Sequence, residues 1–597
     1  MVVQSLRLNP GQISQPDGLR RAGTPITFAT CAGFLHPAAG NVGVLMVSPW
    51  GFEELTIRKS WRVLAEMMAA QGFPCMRFDL PGTGDSLERE LDILNLEQWL
   101  EPIRQAAQQL RQQTHVQRMI IVAQGMGVLL AQQVADQIGT EAFVAMAPMA
   151  EGRSGIRELA LWGKMIAEVH NVPVEMGPNV GVNVAGYMLA EPLTDQIKKL
   201  RLNNEIPSTM RKALVVARPN RATDADATAS FRARGVETAE ISYTGYDELV
   251  SDPTRSETPL WAFENIVEWL VSQYPDRATA MAIQPQSFAA PLAGPGFDEE
   301  PICFGDSGRI FGVLTRPQHA DSCPVVVLPN SGYNPHTGWA RGHVNLARKL
   351  AQEGIASFRM DGANIGDGEA DPNSPSQALY APSQVGEVSQ AIDVLSARGF
   401  GPVVLAGRCS GAYLSLHAAQ EDTRVAGVVA INALRLVWDP REGAVNTKVQ
   451  GFRSLESYKA RMFSHETFIR LITFKLPLWR VGKNALARIF RRFAIKIAPL
   501  AGDLTIMGSL HKMAGRMFAD FNQQGVKVSL IYAEGDGGLD ELALYCGPRG
   551  RKLAGHSNVQ VSVVPNADHN MTSTQAQNVV RQKIIEMVEQ ISPVSTC

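Results

Sequence analysis

A cysteine stands between two glycines in the segment LAGRCSGAY, residues 405–413. Gly407 lies two residues before Cys409, Gly411 lies two residues after it, and an apolar run precedes them. Glycines at these positions allow the sharp strand-to-helix turn that presents a nucleophile at the N-terminus of a helix. The helix dipole and the free amide groups there favour a thiolate. The spacing therefore predicts a nucleophilic cysteine.

Such a nucleophile needs a histidine as its base and an acid that orients the histidine. His569 stands in PNADHNM, after the last apolar run of the chain. Asp536 in YAEGDGGLD follows the preceding apolar run and is the preferred acid, with Glu534 and Asp540 as weaker alternatives. The chain order nucleophile, acid, histidine is the one used with this kind of turn. We predict that Cys409, Asp536 and His569 form a catalytic triad.

Two serines are candidates for the oxyanion hole. The backbone N–H of Ser410 follows the nucleophile and is expected to give one donor. Ser331 in LPNSGYN lies on a loop after an earlier strand and is expected to give the other. Ser410 is also the rival nucleophile, but that choice places Arg408 where the turn needs a small residue.

The cysteine constrains the reaction. A thiolate attacks activated carbonyl groups and forms a thioester with the enzyme. We therefore expect an ester, a thioester or a lactone as the substrate, whereas unactivated peptides would be poor substrates. The acyl group then passes either to water or to an alcohol or amine, so hydrolase and acyltransferase both stay open.

Short apolar runs that end in Gly or Pro turns alternate with helical segments along the chain, and this alternation predicts a mostly parallel sheet with helices on both faces. The same order of runs occurs twice. In the first half the runs lie at 43–50, 77–86, 118–127, 142–148 and 213–219. In the second half they lie at 324–332, 357–370, 403–411, 425–433, 528–536 and 559–571.

Paired landmarks align the two halves. RFDLPGTGD (77–85) and RMDGANIGD (359–367) fall at the same step of each half. An Ala-, Pro- and Gly-rich stretch between the halves is typical of a linker, and 597 residues suit more than one domain at about 150 residues each. We predict a tandem α/β fold with domains at 1–275 and 296–597 and a linker at 276–295.

At these landmarks each half resembles the α/β-hydrolase superfamily. SPWGFEELTIRKSW (48–61), with a proline before a pair of glutamates, resembles one group of hydrolases found with bacterial exopolysaccharide and exosortase A gene clusters. NSGYNPHTGWARGHVNLARKLA, GRCSGAY and ADHN resemble another such group. The Gly-x-Cys-x-Gly turn is similar to that of dienelactone-hydrolase-like enzymes. The resemblance implies a tandem α/β-hydrolase fold and an activity on acyl groups in exopolysaccharide or lipid-linked metabolism.

The first half lacks the groups of a triad. In VAQGMGV (122–128) the nucleophile position holds Gly125, which has no side chain that could attack. Residues 171–318 contain no histidine. In the group that this half resembles, the base stands in an Asp-Pro-His string, and here Thr254 takes the place of that histidine. We predict a degenerate domain, a pseudo-enzyme.

Two roles for the first half stay open. Asp224 or Asp226 remains near the position of the acid, without the other triad members. The old cleft, with Trp50, Glu53 and Glu54 as lining residues, is one candidate ligand site. The alternative is a structural domain that docks on the second half.

A basic helical lid is predicted at 434–525, where caps commonly insert in this fold. Its segment 451–496 contains eleven Lys or Arg and two Glu, with apolar residues at helical spacing. We expect the lid to gate the cleft and to attract an anionic acyl substrate, such as a CoA thioester or a diphosphate-linked carrier. Contact with an anionic membrane surface is a second role, and a solvated cap packed on the core is the structural alternative.

The net charge and the motifs limit the classes of partner that we expect. The formal net charge of −2 gives no global reason to expect nucleic acid, and no nucleic-acid-reading motif accompanies the basic residues. No HExxH, dinucleotide fingerprint or P-loop occurs, so neither a metal nor a cofactor is implied. The expected partner is a small-molecule acyl substrate, and no pattern sets an oligomeric state.

Cysteine usage and hydropathy suggest the compartment. Seven scattered cysteines favour a reducing environment over a disulfide framework. No secretory signal or run of about 18 apolar residues is present. We expect a cytoplasmic protein, with peripheral contact at the inner face of the membrane through the lid. A rival hypothesis is a non-catalytic scaffold built from two degenerate hydrolase domains.

Overall fold

The apolar runs of the first half become strands of a single sheet in the computed structural model, which describes residues 22–170, 172–173, 177–202, 209–277, 290–318, 324–371, 379–438 and 505–591. Within these residues the sheet consists of β1 (Thr24–Phe28), β2 (Cys31–His36), β3 (Val42–Val47), β4 (Cys75–Phe78), β5 (Arg118–Gln124), β6 (Thr140–Met146), β9 (Lys212–Ala217) and β10 (Glu237–Ser242). The order is β1-β2-β4-β3-β5-β6-β9-β10. The strands from β4 to β10 run parallel, and β1 and β2 are antiparallel.

Helices cover both faces of this sheet, because successive residues of the buried strands point to opposite sides. Leu45 and Val47 pack in one hydrophobic cluster, whereas Val44 and Met46 pack in another. A short hairpin of β7 (Val180–Val184) and β8 (Tyr187–Ala190) stands apart from the sheet. The helices are α1 (Phe52–Ala70), α2 (Glu97–Thr114), α3 (Met126–Ile138), α4 (Gly152–His170), α5 (Glu191–Ile197), α6 (Ala222–Ala233), α7 (Tyr246–Leu249) and α8 (Leu260–Gln273), with a 3₁₀ turn at Glu90–Asp92.

The second half repeats this architecture. Its described strands are β11 (Leu292–Gly294), β12 (Phe297–Phe304), β13 (Ile310–Pro317), β14 (Val325–Leu328), β15 (Ala356–Asp361), β16 (Val403–Arg408), β17 (Val425–Ile431), β18 (Lys527–Ala533) and β19 (Val559–Val564). They are ordered β11-β12-β13-β15-β14-β16-β17-β18-β19. The pairs from β15 to β19 are parallel. The predicted tandem fold of mostly parallel sheets is confirmed.

The helices of the second half again lie on both faces of the sheet, since Val325 and Val327 pack in a different cluster from Val326 and Leu328. Those that the structure describes are α9 (Gly342–Gln352), α10 (Pro382–Ala397), α11 (Ser410–Glu421), α12 (Ile506–Gln524), α13 (Gly538–Cys546) and α14 (Thr574–Ile591). Short 3₁₀ segments occur at Asp306–Gly308, Trp339–Arg341 and Pro548–Gly555.

Several features differ from the sequence-based expectation. The antiparallel strands β1, β2, β12 and β13 were not predicted, because each is short or carries polar and charged residues. β11 pairs with β12 and lies inside the predicted linker, so the second sheet begins before residue 296. Of the predicted lid, the structure describes 434–438 and the stretch that forms α12. The basic segment 451–496 lies outside the described residues, and its roles stay predictions.

The paired landmarks of the two halves contact each other reciprocally. Arg77 of the first half pairs with Asp367 of the second at 2.5 Å, and Arg359 of the second half pairs with Asp85 of the first at 3.0 Å. In each pair, the arginine that begins one landmark string contacts the aspartate that ends the other string. Such reciprocal contacts are typical of an isologous interface between two copies of one domain. All four side chains are buried, so this contact is part of the core of the molecule.

His336 lies at the centre of this contact. Its Nε2 is 2.6 Å from Asp85 Oδ2, and its Nδ1 is 2.6 Å from Asp361 Oδ2. Burial alone would lower the pKa of His336, but the two carboxylates outweigh burial and raise the pKa to about 10. The ring is thus an imidazolium at pH 7, held between one carboxylate of each half.

Candidate active site

Cys409 occupies a strained turn between β16 and α11. Its backbone has φ 57° and ψ −118°, a conformation that is costly for a residue with a side chain. The Cys409 N–H donates to the Ile431 carbonyl at 2.9 Å and helps to hold the turn. A Cβ on Gly411 would lie 2.7 Å from the Asn330 carbonyl, and a Cβ on Gly407 would collide with the Gly411 carbonyl. Both glycines are therefore sterically required here, as the motif predicted.

His569 and Asp536 lie together, as predicted. His569 Nδ1 is 2.7 Å from Asp536 Oδ2, and both residues are buried. Burial acts to lower the pKa of His569, but the Asp536 carboxylate and the nearby Cys409 side chain raise the pKa to about 9. The structure thus brings all three predicted catalytic side chains together.

The alternative acids take other positions. Glu534 is exposed, and Asp540 is half-buried in the first turn of α13. Asp536 is instead fixed by a hydrogen bond from the Gly538 N–H to its Oδ1 at 2.7 Å, which leaves Oδ2 directed at His569. The geometry therefore selects Asp536 among the three candidates.

A buried asparagine that sequence reasoning missed joins the two triad loops. The Asn432 side chain donates to the His569 carbonyl at 2.9 Å and accepts from the Ala533 N–H at 2.7 Å. Asn432 follows β17 directly, and its backbone lies at φ 48°. An asparagine immediately after a buried strand, at the sheet edge shared with His569, is the sequence signal that could have identified it.

Ser331 and Ser410 tie the loop after β14 to the nucleophile turn. The Ser331 hydroxyl donates to the Arg408 carbonyl at 2.6 Å. The Gly332 N–H donates to Ser410 Oγ at 2.7 Å. Ser410 is buried and its oxygen is engaged by this bond, which disfavours it as the nucleophile. Both predicted oxyanion residues lie at the turn, and their backbone N–H groups are the candidate donors.

The first half approaches this site. A Cβ on Gly332 would lie 3.0 Å from Thr254 Oγ1. Thr254 stands where the resembling group has its catalytic histidine, and here its hydroxyl lies next to Gly332 on the loop after β14. His170 pairs with Asp252 at 3.3 Å. Burial lowers the pKa of His170, and the charge of His569 adds to that effect, so the first half contributes to the surroundings of the triad.

This contact leads to a test of the cross-domain packing. We expect Gly332→Ala to cost about 1–2 kcal/mol in free energy of unfolding, because its φ of 63° is unfavourable for alanine, and to slow alkylation of Cys409 by displacing the loop. Adding Thr254→Ala removes Oγ1 and should restore part of the alkylation rate. Iodoacetamide labelling of Cys409, followed by peptide mass spectrometry, measures both effects. Equal labelling of the single and double variants would contradict the contact.

The corresponding turn of the first half keeps the shape without the nucleophile. Gly125 has φ 55° and ψ −123°, close to the values of Cys409, and its N–H donates to the Met146 carbonyl. Asp224 is buried and bound to Arg218, and Asp226 is exposed. Neither of these carboxylates can therefore orient a base here.

The predicted cleft of the first half is present, with one correction. Trp50 and Glu53 line a cavity in front of Gly125. Glu54 does not line it, because its carboxylate pairs with Arg58 at 3.0 Å beside the contact between the halves. The reason is helical geometry: adjacent residues of α1 point in different directions.

Family comparisons agree with this architecture. Residues 57–266 match the model of the family described as "Serine aminopeptidase, S33", and residues 325–582 match the model described as "Alpha/beta hydrolase family". Both halves are α/β-hydrolase domains. No curated protein matches the chain.

Several solved structures are similar to about half of this chain. Est1E from Butyrivibrio proteoclasticus, solved with ferulic acid bound, is 14% identical over 42% of this chain and 100% of its own, with a TM-score of 0.33. Mouse alpha/beta hydrolase domain-containing protein 10 is 18% identical over 49% of this chain and 99% of its own, with a TM-score of 0.28. The esterase domain of a Rhodothermus marinus protein is 16% identical over 41% of this chain and 97% of its own, with a TM-score of 0.31.

Two further observations concern predicted partners. Among the described residues, none of the helices combines the length and the apolar character that a membrane crossing requires.

Within the same part of the chain, His336, Asp361 and Asp367 have the spacing of a metal site. Both ring nitrogens of His336 are bonded to carboxylates, and Asp367 pairs with Arg58 and Arg77. These three residues already balance their charges with one another and with the arginines, so we assign no metal to them.

Proposed function

We propose that the second domain is a cysteine-dependent acyl-transfer enzyme of the esterase or thioesterase type, with Cys409 as nucleophile. The observation that carries this proposal is the 2.7 Å hydrogen bond between His569 and Asp536 beside the strained Cys409. A cysteine without a catalytic role does not require a base, an orienting acid and a positive backbone φ around it. The arrangement has the roles of a nucleophile–histidine–acid triad.

The proposed reaction uses the Cys409 thiolate as nucleophile and His569 as the group that carries the proton. His569 holds its proton up to about pH 9, and an adjacent imidazolium stabilises a thiolate. The Cys409 thiolate attacks the carbonyl carbon of an ester, thioester or lactone, and the carbonyl electrons move onto oxygen. The backbone N–H groups of Ser410 and Ser331 stabilise that oxyanion. As the intermediate collapses, the bond to the leaving group breaks and His569 donates its proton to that group.

The second step releases the acyl group from Cys409. His569, now neutral, removes a proton from water or from an acceptor alcohol or amine, whose oxygen or nitrogen attacks the thioester carbon. Collapse expels the Cys409 thiolate and leaves the proton on His569, so the enzyme is regenerated. Water gives a hydrolase and an alcohol or amine gives an acyltransferase. The resemblance to exopolysaccharide-associated hydrolases supports a substrate in exopolysaccharide or lipid-linked metabolism.

The first domain is proposed to be a pseudo-enzyme for this chemistry. Gly125 offers no nucleophile, and Thr254, at the position of the base, packs toward the second domain. This domain therefore supports the second active site through its contact with Gly332. A scaffold without any activity is the rival function, and it predicts ordinary reactivity for Cys409.

Acyl-enzyme formation distinguishes the two functions. We expect p-nitrophenyl butyrate and butyryl-CoA each to leave one butyryl group on Cys409 within seconds, detected by intact and peptide mass spectrometry. Cys409→Ala should abolish the adduct. Cys303→Ala is the matched control, because Cys303 is equally half-buried and lies far from the turn in sequence. The lifetime of the adduct with and without added glycerol separates transfer from hydrolysis.

Either of two results would refute the catalytic proposal. One is the absence of any adduct with both acyl donors. The other is alkylation of Cys409 by iodoacetamide no faster than that of Cys303 in the same folded protein. Both results would favour the scaffold.

A further inference from the structure

A carboxyl group occupies the place of the missing nucleophile in the first domain. A Cβ on Gly125 would lie 2.6 Å from Glu53 Oε2. Glu53 comes from α1 and is 5% exposed. Its Oε1 accepts hydrogen bonds from Gln124 Nε2 at 2.8 Å and from the Tyr246 hydroxyl at 3.1 Å. The space that a catalytic side chain would fill therefore holds a positioned carboxyl group.

Burial disfavours the charged form of this carboxyl. Burial raises the pKa of Glu53 above its ordinary value, although its hydrogen bonds and the charge of Arg218 oppose the shift. Arg218 is itself committed to Asp224 at 2.7 Å and to Glu158 at 3.2 Å. Because Oε1 already accepts two hydrogen bonds, Oε2, beside the empty position of the Gly125 side chain, is the oxygen that would carry a proton in the neutral form. In that neutral form Glu53 donates a hydrogen bond to a ligand oxygen.

A large cavity opens in front of Glu53. Its volume of about 470 Å³ lies within the roughly 300–1,000 Å³ of small-molecule sites. The lining mixes polar and charged side chains with apolar ones, which suits a molecule that has both a polar and an apolar part. The polar and charged lining includes Glu53, Glu151, Glu158, Arg218, Arg221 and Asp247. The apolar lining includes Trp50, Met126, Met149, Leu159, Trp162 and Met165.

An apolar stripe on α4 leads out of this cavity. Leu161, Met165 and Val169 are 64%, 65% and 71% exposed. They are spaced four residues apart, so they lie on one face of the helix. Leu161 and Met165 also line the cavity. Exposed apolar side chains that continue the wall of a cavity extend the surface available to an apolar chain.

We propose that the first domain binds an uncharged, acyl-chain-bearing amphiphile, with a carbonyl or hydroxyl oxygen at Glu53 and the chain along the α4 stripe. The ligand is bound and not cleaved there, because Gly125 supplies no nucleophile. The domain would then act as a second, non-hydrolytic acyl site in a chain whose other domain performs acyl chemistry. This site is separate from the triad, so it stands or falls independently of the proposed reaction.

Binding of 1-decanoylglycerol, kept below its micelle concentration, tests this site. The Cys409→Ala protein is used so that the probe is not consumed, and equilibrium dialysis measures its dissociation constant. We expect Met165→Trp, which fills the cavity mouth, to weaken binding at least tenfold. Lys164→Trp is the matched control on the same helix, because Lys164 is exposed and does not line the cavity, and it should leave binding unchanged. Both positions are exposed, so neither tryptophan should disturb folding.

Variants of Glu53 test the polar end. Glu53→Gln keeps a donor of similar size and should stay within a few-fold of the parent, whereas Glu53→Leu should weaken binding at least tenfold. Decanoate and decylamine serve as charged probes of the same chain length. We expect both to bind more weakly than the neutral probe.

Three outcomes overturn the proposal. One is no binding of 1-decanoylglycerol, and another is binding that neither Met165→Trp nor Glu53→Leu weakens, which would place the probe elsewhere. Preference for decylamine would show that Glu53 acts as a carboxylate and that the ligand is a cation. A Met165→Trp protein that keeps Cys409 serves as a separate test of the second domain. Acylation of its Cys409 measures the proposed reaction independently of ligand binding in the first domain.

Discussion

Asp536→Asn is expected to slow acylation of Cys409 by p-nitrophenyl butyrate by about 10²–10⁴-fold. The Asp536 carboxylate both orients the His569 ring and favours its protonated form. Asparagine has nearly the same shape, so the fold should persist while the charge is lost. Single-turnover kinetics of p-nitrophenol release measure the acylation rate directly.

The pH profile shows whether Asp536 acts through His569. A group whose folded pKa is raised keeps its proton up to that raised value, so the wild-type acylation rate should fall as the pH rises through about 9. In Asp536→Asn the fall should begin closer to the ordinary histidine value of about 6.5. A purely structural role would lower the rate without moving this limb of the profile.

Asp540→Asn is the matched control for this prediction. Asp540 lies in the same segment and was the alternative acid in the sequence, but it is half-buried on α13 and is not the partner of His569. Its substitution should leave the rate within about twofold and the pH profile unmoved. If Asp540→Asn had the larger effect, the assignment of the acid would be wrong.

We could predict from sequence that the members of the proposed triad meet, because the information that places them is local. Each member follows a buried apolar strand, and the carboxyl ends of parallel strands meet at one edge of the sheet. Motif, chain order and strand position therefore predict a meeting of Cys409, Asp536 and His569 without knowledge of any long-range contact. The loss of the nucleophile at Gly125 was predictable for the same reason.

Features that depend on contacts distant in sequence could not be predicted. RFDLPGTGD and RMDGANIGD were identified as equivalent, but nothing in either string indicates that Arg77 pairs with Asp367 or Arg359 with Asp85. The position of Thr254 could not be predicted either. The motif shows only that Thr254 replaces a histidine, and nothing in it indicates that Thr254 lies next to Gly332 of the other domain. Glu53 was predicted to line a cleft, but its position in the place of the nucleophile depends on how α1 packs on the turn at Gly125.

The contact between the domains gives the first domain a structural role. His336, Arg359 and Asp367 of the second domain are 0% exposed, and carboxylates and arginines of the first domain neutralise them. A second domain alone would expose or leave unpaired several charges that are buried in the whole chain, which is costly. We therefore expect the first domain to be required for a folded active site whether or not it binds a ligand.

Asp85→Ala is accordingly expected to lower the free energy of unfolding by about 3–5 kcal/mol, because it leaves His336 and Arg359 buried with fewer partners. Urea denaturation followed by tryptophan fluorescence measures the loss. Asp92→Ala is the matched control: Asp92 also pairs with an arginine, Arg89, at 2.8 Å, but both side chains are exposed. An exposed pair contributes about 0–1 kcal/mol, so a comparable loss in both variants would contradict the role of the buried contact.

The pH dependence of the stability lost in Asp85→Ala shows whether His336 contributes to it as a charged partner of Asp85. The pKa of His336 is raised from the ordinary 6.5 to about 10, so its stabilising effect is complete below about pH 6.5 and disappears as the pH rises through about 10. The difference in unfolding free energy between wild type and Asp85→Ala should therefore shrink steadily over this range, while that of Asp92→Ala stays flat. A difference that does not change with pH would mean that the arginines alone hold Asp85. In that case His336 would be neutral in the folded protein, and the domains would be joined through Arg58, Arg77 and Arg359 without it.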